Sequence, residues 1–188
     1  MAIKVYIDQG HNPSGFNTGA EGNGFYEQDI TYEVGRRLYR YLEGDPAFEP
    51  RLSRPTESTI LGTNNASSLR VRVNEANAWG ADLFLSIHTN ASENPRATGS
   101  EALVYGPSSR VAIGVAEDIL AELHHVTGRR NRGIVYRPGL YVLKRTTMPA
   151  VLVEMGFISN PQDARLMAYS PDLFALGMYR GLKDYYGV

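Results

Sequence analysis

Four histidines and no cysteine set the first limit on the chemistry open to this chain of 188 residues. Without cysteine there is no disulfide, no thiolate nucleophile and no sulfur-ligated zinc, so any metal centre must be built from imidazoles and carboxylates. Two of the histidines follow apolar runs. His11 comes a short turn after Ile3-Lys4-Val5-Tyr6-Ile7-Asp8, and His88 directly ends Asp82-Leu83-Phe84-Leu85-Ser86-Ile87. Glu154 stands in the same relation to Ala150-Val151-Leu152-Val153, and Glu27 precedes a helical pattern beginning near Asp29. Two imidazoles and one carboxylate are a catalytic zinc set that keeps one position open, and a further carboxylate nearby can carry protons. Zinc lowers the pKa of water from about 15.7 to roughly 7 and polarises a carbonyl, which is what hydrolysis of an unactivated amide needs. His11, Glu27 and His88 are therefore candidate ligands for one zinc ion, and Glu154 is the candidate general base.

Each of these residues also has a plainer reading. A single histidine at a strand end is commonly a hydrogen-bonded structural residue, and a carboxylate such as Glu27 is favoured in the first turn of any helix by the exposed amides there. Glu154 follows a buried run, so it needs a partner or a function to offset desolvation; a buried ion pair is the alternative. His124 and His125 are adjacent, point in different directions near a helix end, and read as structural or surface groups. Arg129-Arg130-Asn131-Arg132 could grip carboxylates or form a solvated basic loop, Arg132 being the more open case. Tyr32, Tyr39 and Tyr41 share a helical pattern and read as packing, and Gly156 and Asn160 as turn residues.

The elements that must position these groups alternate short β-branched runs with longer helical patterns, which predicts an α/β fold. Strands are expected at 3–8, 82–87, 100–105 and 150–153. Helices are expected at 29–43, 69–79, 111–126 and 171–186, with Gly44 and Gly80 as stops and Ser170-Pro171 as N-cap and first helical residue. The nearly continuous apolar strand at 82–87 implies burial on both faces, so a mostly parallel, mixed twisted sheet carries helices on both sides. In such sheets ligands bind beyond the strand C-termini, where His11, His88 and Glu154 fall. Proline and glycine cluster at 10–24 and 94–99, which read as loops and not as an interdomain linker. Residues 1–188 are thus expected to form a single catalytic domain without a separate binding module, and a monomer. A net charge of −1 gives no electrostatic reason to propose a nucleic-acid or membrane-surface partner.

Four blocks, Asp8-Gln9-Gly10-His11, Glu27 before a helix, Ser86-Ile87-His88-Thr89-Asn90 and Glu154-Met155-Gly156-Phe157-Ile158-Ser159-Asn160, occur in the order seen in zinc-dependent N-acetylmuramoyl-L-alanine amidases of the Amidase_3 type, which the chain resembles from first strand to last helix. Ser53-Arg54, residues 70–77 and Arg132-Gly133 before Leu140-Tyr141-Val142-Leu143 add to the resemblance. Asn12-Pro13 departs from it, where the family usually has glycine. The resemblance implies zinc ligands at His11, Glu27 and His88, a catalytic Glu154, and cleavage of the bond between the lactyl group of N-acetylmuramic acid and L-alanine of the peptidoglycan stem peptide.

A zinc peptidase cutting within the stem peptide or crossbridge would use the same metal chemistry, and a wall-binding module without turnover could share the fold but would have no need of Glu154. Peptidoglycan as substrate implies action at the cell wall. The N-terminus shows no signal-peptide pattern, which fits a phage or other signal-less lysin, or an excised domain of a secreted protein. Some family members insert a helical regulatory segment after the second histidine block. Here only residues 91–98 precede the next expected strand, so the metal is expected to be uncovered.

Overall fold

The computed structural model describes residues 1–188. In chain order the elements are β1 (Ile3–Gln9), a small hairpin of β2 (Glu21–Gly22) and β3 (Phe25–Tyr26), α1 (Glu27–Glu43), β4 (Phe48–Leu52), α2 (Asn65–Trp79), β5 (Leu83–Asn90), β6 (Ser100–Val104), α3 (Arg110–Thr127), β7 (Asn131–Tyr136), α4 (Tyr141–Arg145), β8 (Ala150–Phe157), α5 (Pro161–Tyr169) and α6 (Pro171–Tyr186). The main sheet runs β4-β1-β5-β8-β6-β7. Its first four strands are parallel, β6 runs antiparallel to β8, and β7 is parallel to β6.

Side-chain alternation along the central strands divides the core in two. Val5 and Ile7 of β1, Leu83, Leu85 and Ile87 of β5, and Val151, Val153 and Met155 of β8 face a large cluster completed by α1, α3 and α6. Tyr6, Phe84, Ala150 and Leu152 point the other way, into a smaller cluster with Val73 and Ala76 of α2 and Val142 and Leu143 of α4. On that second face the apolar positions stop partway along each strand. Beyond them the same alternation brings up Asp8, Ser86, His88 and Glu154, so the polar end of this face is where a site can form.

Several elements differ from the sequence expectation. His88 and Glu154 lie inside β5 and β8, not at their ends, because both strands continue pairing through Asn90 and Phe157. α1 begins at Glu27, and α2 begins at Asn65, where Asn64 and Ser67 form a reciprocal capping box. β4 is an edge strand whose Pro50 hides its strand character. Arg132 is part of β7 and not of a basic loop, and the expected loop at 10–24 contains β2 and the turn of the hairpin that β3 completes. α5 was also unexpected; Asn160 caps it by accepting hydrogen bonds from the backbone of Gln162 and Asp163, with Pro161 in the first turn. Residues 91–99, between β5 and β6, contain no helix.

Candidate active site

Three segments converge on Glu27. The Nε2 of His11 lies 3.2 Å from its Oε2, and the Nδ1 of His88 lies 3.0 Å from its Oε1. Backbone amides complete the carboxylate's shell, Ala20 N–H donating to Oε2 at 2.8 Å and Thr89 N–H to Oε1 at 2.9 Å. Burial pushes the Glu27 carboxyl up, but the hydrogen bonds and charge of the two imidazoles outweigh it and hold the group well below the usual carboxylate range. Burial pushes His88 down, and Glu27, followed by Glu154 and Asp8, more than reverses that. The side chains of His11 and His88 stay about one-fifth exposed, so the cluster is open to a substrate.

The backbone is shaped for this approach. His11 adopts a left-handed conformation at φ 70°, uncommon outside glycine though less so for histidine. A Cβ on Gly10 would sit 2.5 Å from His88 Cε1, and one on Gly19 would sit 2.6 Å from Glu27 Cβ, so glycine is required at both positions for the three segments to meet.

Glu154 stands directly beside this group. Register pairs it with His88 on one side and with Glu101 of β6 on the other, giving a polar row across three strands. Two carboxylates opposite one another repel. Glu101 is compensated: Asn90 Nδ2 donates to its Oε1 at 2.8 Å and Arg132 Nε to its Oε2 at 2.9 Å. Glu154 is not, since its buried Oε2 has no hydrogen-bond partner in the protein. Burial, opposed by His88 and reinforced by Glu27 and Glu101, pushes the Glu154 carboxyl up to about 7.

His11, Glu27 and His88 each offer one ligand atom within 4.8 Å of the others, a set that could hold a metal ion. The set fits zinc: two imidazole nitrogens and one carboxylate oxygen, with a buried, unpartnered carboxylate oxygen in the next strand. Residues 5–184 match the Amidase_3 family model, described as N-acetylmuramoyl-L-alanine amidase. The chain belongs to the Amidase_3 family. N-acetylmuramoyl-L-alanine amidase LytC of Bacillus subtilis (strain 168) is 36% identical over 186 residues, covering 97% of this chain but 35% of LytC. The germination-specific N-acetylmuramoyl-L-alanine amidase of the same organism is 30% identical over 194 residues, covering 97% of this chain and 79% of that protein. The crystal structure of N-acetylmuramoyl-L-alanine amidase from Clostridium difficile 630 superposes with a TM-score of 0.88 at 29% identity, covering 99% of this chain and 97% of the other. The chain thus spans about a third of LytC and most of the germination-specific enzyme.

In this Amidase_3 domain the four residues singled out from sequence come together, while His124 and His125 lie outside the cluster at the end of α3, where His124 Nδ1 contacts the Arg129 carbonyl. The sequence blocks that contain Asp8, Arg54 and Arg72 do not by themselves show the role these residues play, which is support beneath the site. Arg72 and Asp8, both about 1% exposed, form a buried ion pair. Arg72 also donates from Nη1 to the Gln9 carbonyl and from Nη2 to the His11 carbonyl, each at 2.6 Å, which fixes the left-handed turn that presents His11. Arg54, fully buried, donates to the Gln28 carbonyl at 3.0 Å and so ties β4 to the start of α1. A signal for Arg72 existed: with Leu69, Val73 and Ala76 it occupies the inward helical spacing of α2, where a charged residue requires a buried partner.

Proposed function

We propose that this chain is a zinc-dependent amidase that hydrolyses the bond between N-acetylmuramic acid and L-alanine in peptidoglycan, acting at the cell wall. The observation that carries the proposal is the convergence of His11, Glu27 and His88 beside the unpartnered carboxylate of Glu154. Family membership supports the choice of bond. Residues 1–188 act as one catalytic unit.

His11, Glu27 and His88 would hold one zinc ion, which supplies Lewis acidity that acidifies water and polarises the scissile carbonyl. Glu154 does the proton work. As a carboxylate it accepts a proton from the attacking water as the water oxygen bonds to the lactyl carbonyl carbon. It then donates that proton to the nitrogen of L-alanine as the C–N bond breaks, leaving a muramic acid carboxyl group and a free peptide amine. Burial raises this carboxyl and so favours the protonated form that the second half of the cycle needs, while a zinc ion at the neighbouring ligands would draw it back toward the carboxylate that the first half needs. Thr89 and Ala20 amides fix the Glu27 carboxylate, and the ion pair beneath fixes His11, so little has to move when substrate arrives.

The test is Glu154→Gln, measured by release of L-alanine-terminated peptides from purified peptidoglycan together with bound zinc by elemental analysis. The expected result is a loss of about 10²–10⁴-fold in turnover with zinc content unchanged, the usual contribution of a positioned acid–base group. Turnover at the wild-type level in this variant would remove Glu154 from the mechanism.

A further inference from the structure

The Arg132-Gly133 pair has a structural meaning that the hydrolytic machinery does not use. Between β6 and β7 the register runs Ser100↔Asn131 and then Ala102↔Ile134, so two residues of β7, Arg132 and Gly133, oppose the single residue Glu101. This is a β-bulge. Gly133 sits at φ +83°, a left-handed conformation that glycine adopts without strain. Bulges of this kind re-aim a side chain, and here the result is that the Arg132 guanidinium turns back along the sheet toward the catalytic row. Its Nε donates to Glu101 Oε2 at 2.9 Å, Nη1 makes a long contact of 3.4 Å with the Thr98 carbonyl, and the guanidinium carbon lies 4.9 Å from the centre of the Phe157 ring. Stacking and the Glu101 bond fix the plane of the group, while Nη2 makes no hydrogen bond within the protein.

Everything else in the row is acidic or a candidate ligand: His88, Glu154 and Glu101 in adjacent strands, with Glu27 behind. An anionic substituent on the substrate is disfavoured beside the carboxylates of Glu154 and Glu101, and at the outer end of the row Arg132 offers it a rigid, partly exposed fork. Strands lie about 4.8 Å apart, so the backbone of β7 is roughly 10 Å from that of β8, and the arginine reaches back across part of that gap. A peptide residue extends about 3.5 Å, which puts a group one or two residues from the scissile nitrogen within reach.

Building on the amidase reading, we propose that Arg132 is a specificity-determining residue that binds a free carboxylate on the stem-peptide residue following L-alanine, and that the bulge at Gly133 exists to aim it. The amide-capped form of the same residue would lose the charge-assisted bond.

Two synthetic N-acetylmuramoyl peptides test this, identical except that the residue after L-alanine carries a carboxylate in one and a carboxamide in the other. Cleavage by wild type, Arg132→Ala and Arg132→Lys is measured as kcat and KM, with thermal unfolding of each protein alongside. Wild type is expected to prefer the carboxylate, and Arg132→Ala to lose that preference through a rise in KM, on the order of 10–100-fold for the carboxylate substrate and little for the carboxamide. Arg132→Lys, a point charge without the fork, should recover part of it. A fall in kcat common to both substrates is expected from the uncompensated Glu101, but equal rises in KM on both, or no preference in wild type, would overturn the assignment and leave the amidase reading standing. Cleavage of neither substrate by wild type would overturn both.

Discussion

Replacing Arg72 by methionine keeps most of the side chain's apolar volume and removes only the guanidinium, so it isolates the buried pair with Asp8. Both residues are about 1% exposed, and Asp8 would keep a single side-chain partner, the Ser86 hydroxyl at 2.7 Å. Breaking a buried pair by removing one member costs about 3–5 kcal/mol because the other charge is stranded. That is a large part of the roughly 5–15 kcal/mol that holds a domain folded, and at about 2–4 °C per kcal/mol for a domain of this size it lowers Tm by roughly 6–20 °C. The pH dependence gives the sharper signature. In the native protein burial pushes the Asp8 carboxyl up, but the charge and hydrogen bond of Arg72, with Ser86, outweigh it and hold the group below its ordinary value. Its contribution to stability is therefore present above the unfolded-state pKa of about 3.9 and is lost as pH falls through the lower folded value. Without Arg72 burial dominates and the sign inverts: Asp8 destabilises at neutral pH, and the penalty fades as pH falls through its raised pKa. Urea unfolding of wild type and Arg72→Met followed by circular dichroism should show the gap widest at pH 7–8 and narrowing toward pH 4. Adding Asp8→Asn should recover part of the loss at neutral pH. A gap below about 1 kcal/mol, the size expected of an exposed pair, or one independent of pH, would refute this account of the support beneath His11.

Other perturbations read the site itself. Gly10→Ala places a Cβ 2.5 Å from His88 Cε1, so zinc titration by calorimetry should show affinity reduced by at least 10-fold while the far-ultraviolet spectrum is retained; unchanged affinity would mean that His88 is not held where its ligand role requires. Zinc added at 100 times its dissociation constant should stabilise the wild type by about 2.7 kcal/mol in thermal unfolding, and His88→Ala should abolish that increment, whereas His125→Ala should leave it intact. Gly133→Ala, whose Cβ would meet nothing within 4 Å, should cost only the backbone strain of the left-handed bulge, about 1–3 kcal/mol by urea unfolding.

The elements that bury apolar runs on both faces were legible from sequence: β1, β5 and β8 from their continuous hydrophobic stretches, and α1, α3 and α6 from their inward spacing. The elements that were missed are stabilised by something other than a run of apolar residues. β4 is a short edge strand interrupted by Pro50, β7 carries an arginine and a glycine in its bulge, and the hairpin before α1 is held by a hydrogen bond from Asn23 Nδ2 to the Ile158 carbonyl at 2.7 Å, a partner far away in the chain. α5 could have been found, since asparagine followed by proline and then an acidic first turn is a helix start in its own right. The four site residues were visible because histidines and carboxylates follow apolar runs or open a helix, in blocks whose order resembles the Amidase_3 family. The partners of Asp8, Arg72, Glu101 and Arg132 were not, although Asp8, Arg72 and Arg132 stand in blocks that carry the resemblance, because each side chain has a meaning only through a contact set by the fold and not by local spacing.

Cleavage of the muramoyl to L-alanine bond by zinc at His11, Glu27 and His88, with Glu154, is open to a direct measurement. It is tested most directly by digesting purified peptidoglycan with the protein as prepared, after treatment with a chelator, and after zinc is restored, and identifying the products by mass spectrometry. Stem peptides with a free L-alanine N-terminus and uncut glycan strands are expected, lost on chelation and regained with zinc. Peptides bearing other new termini, or release that survives complete removal of the metal, would contradict it.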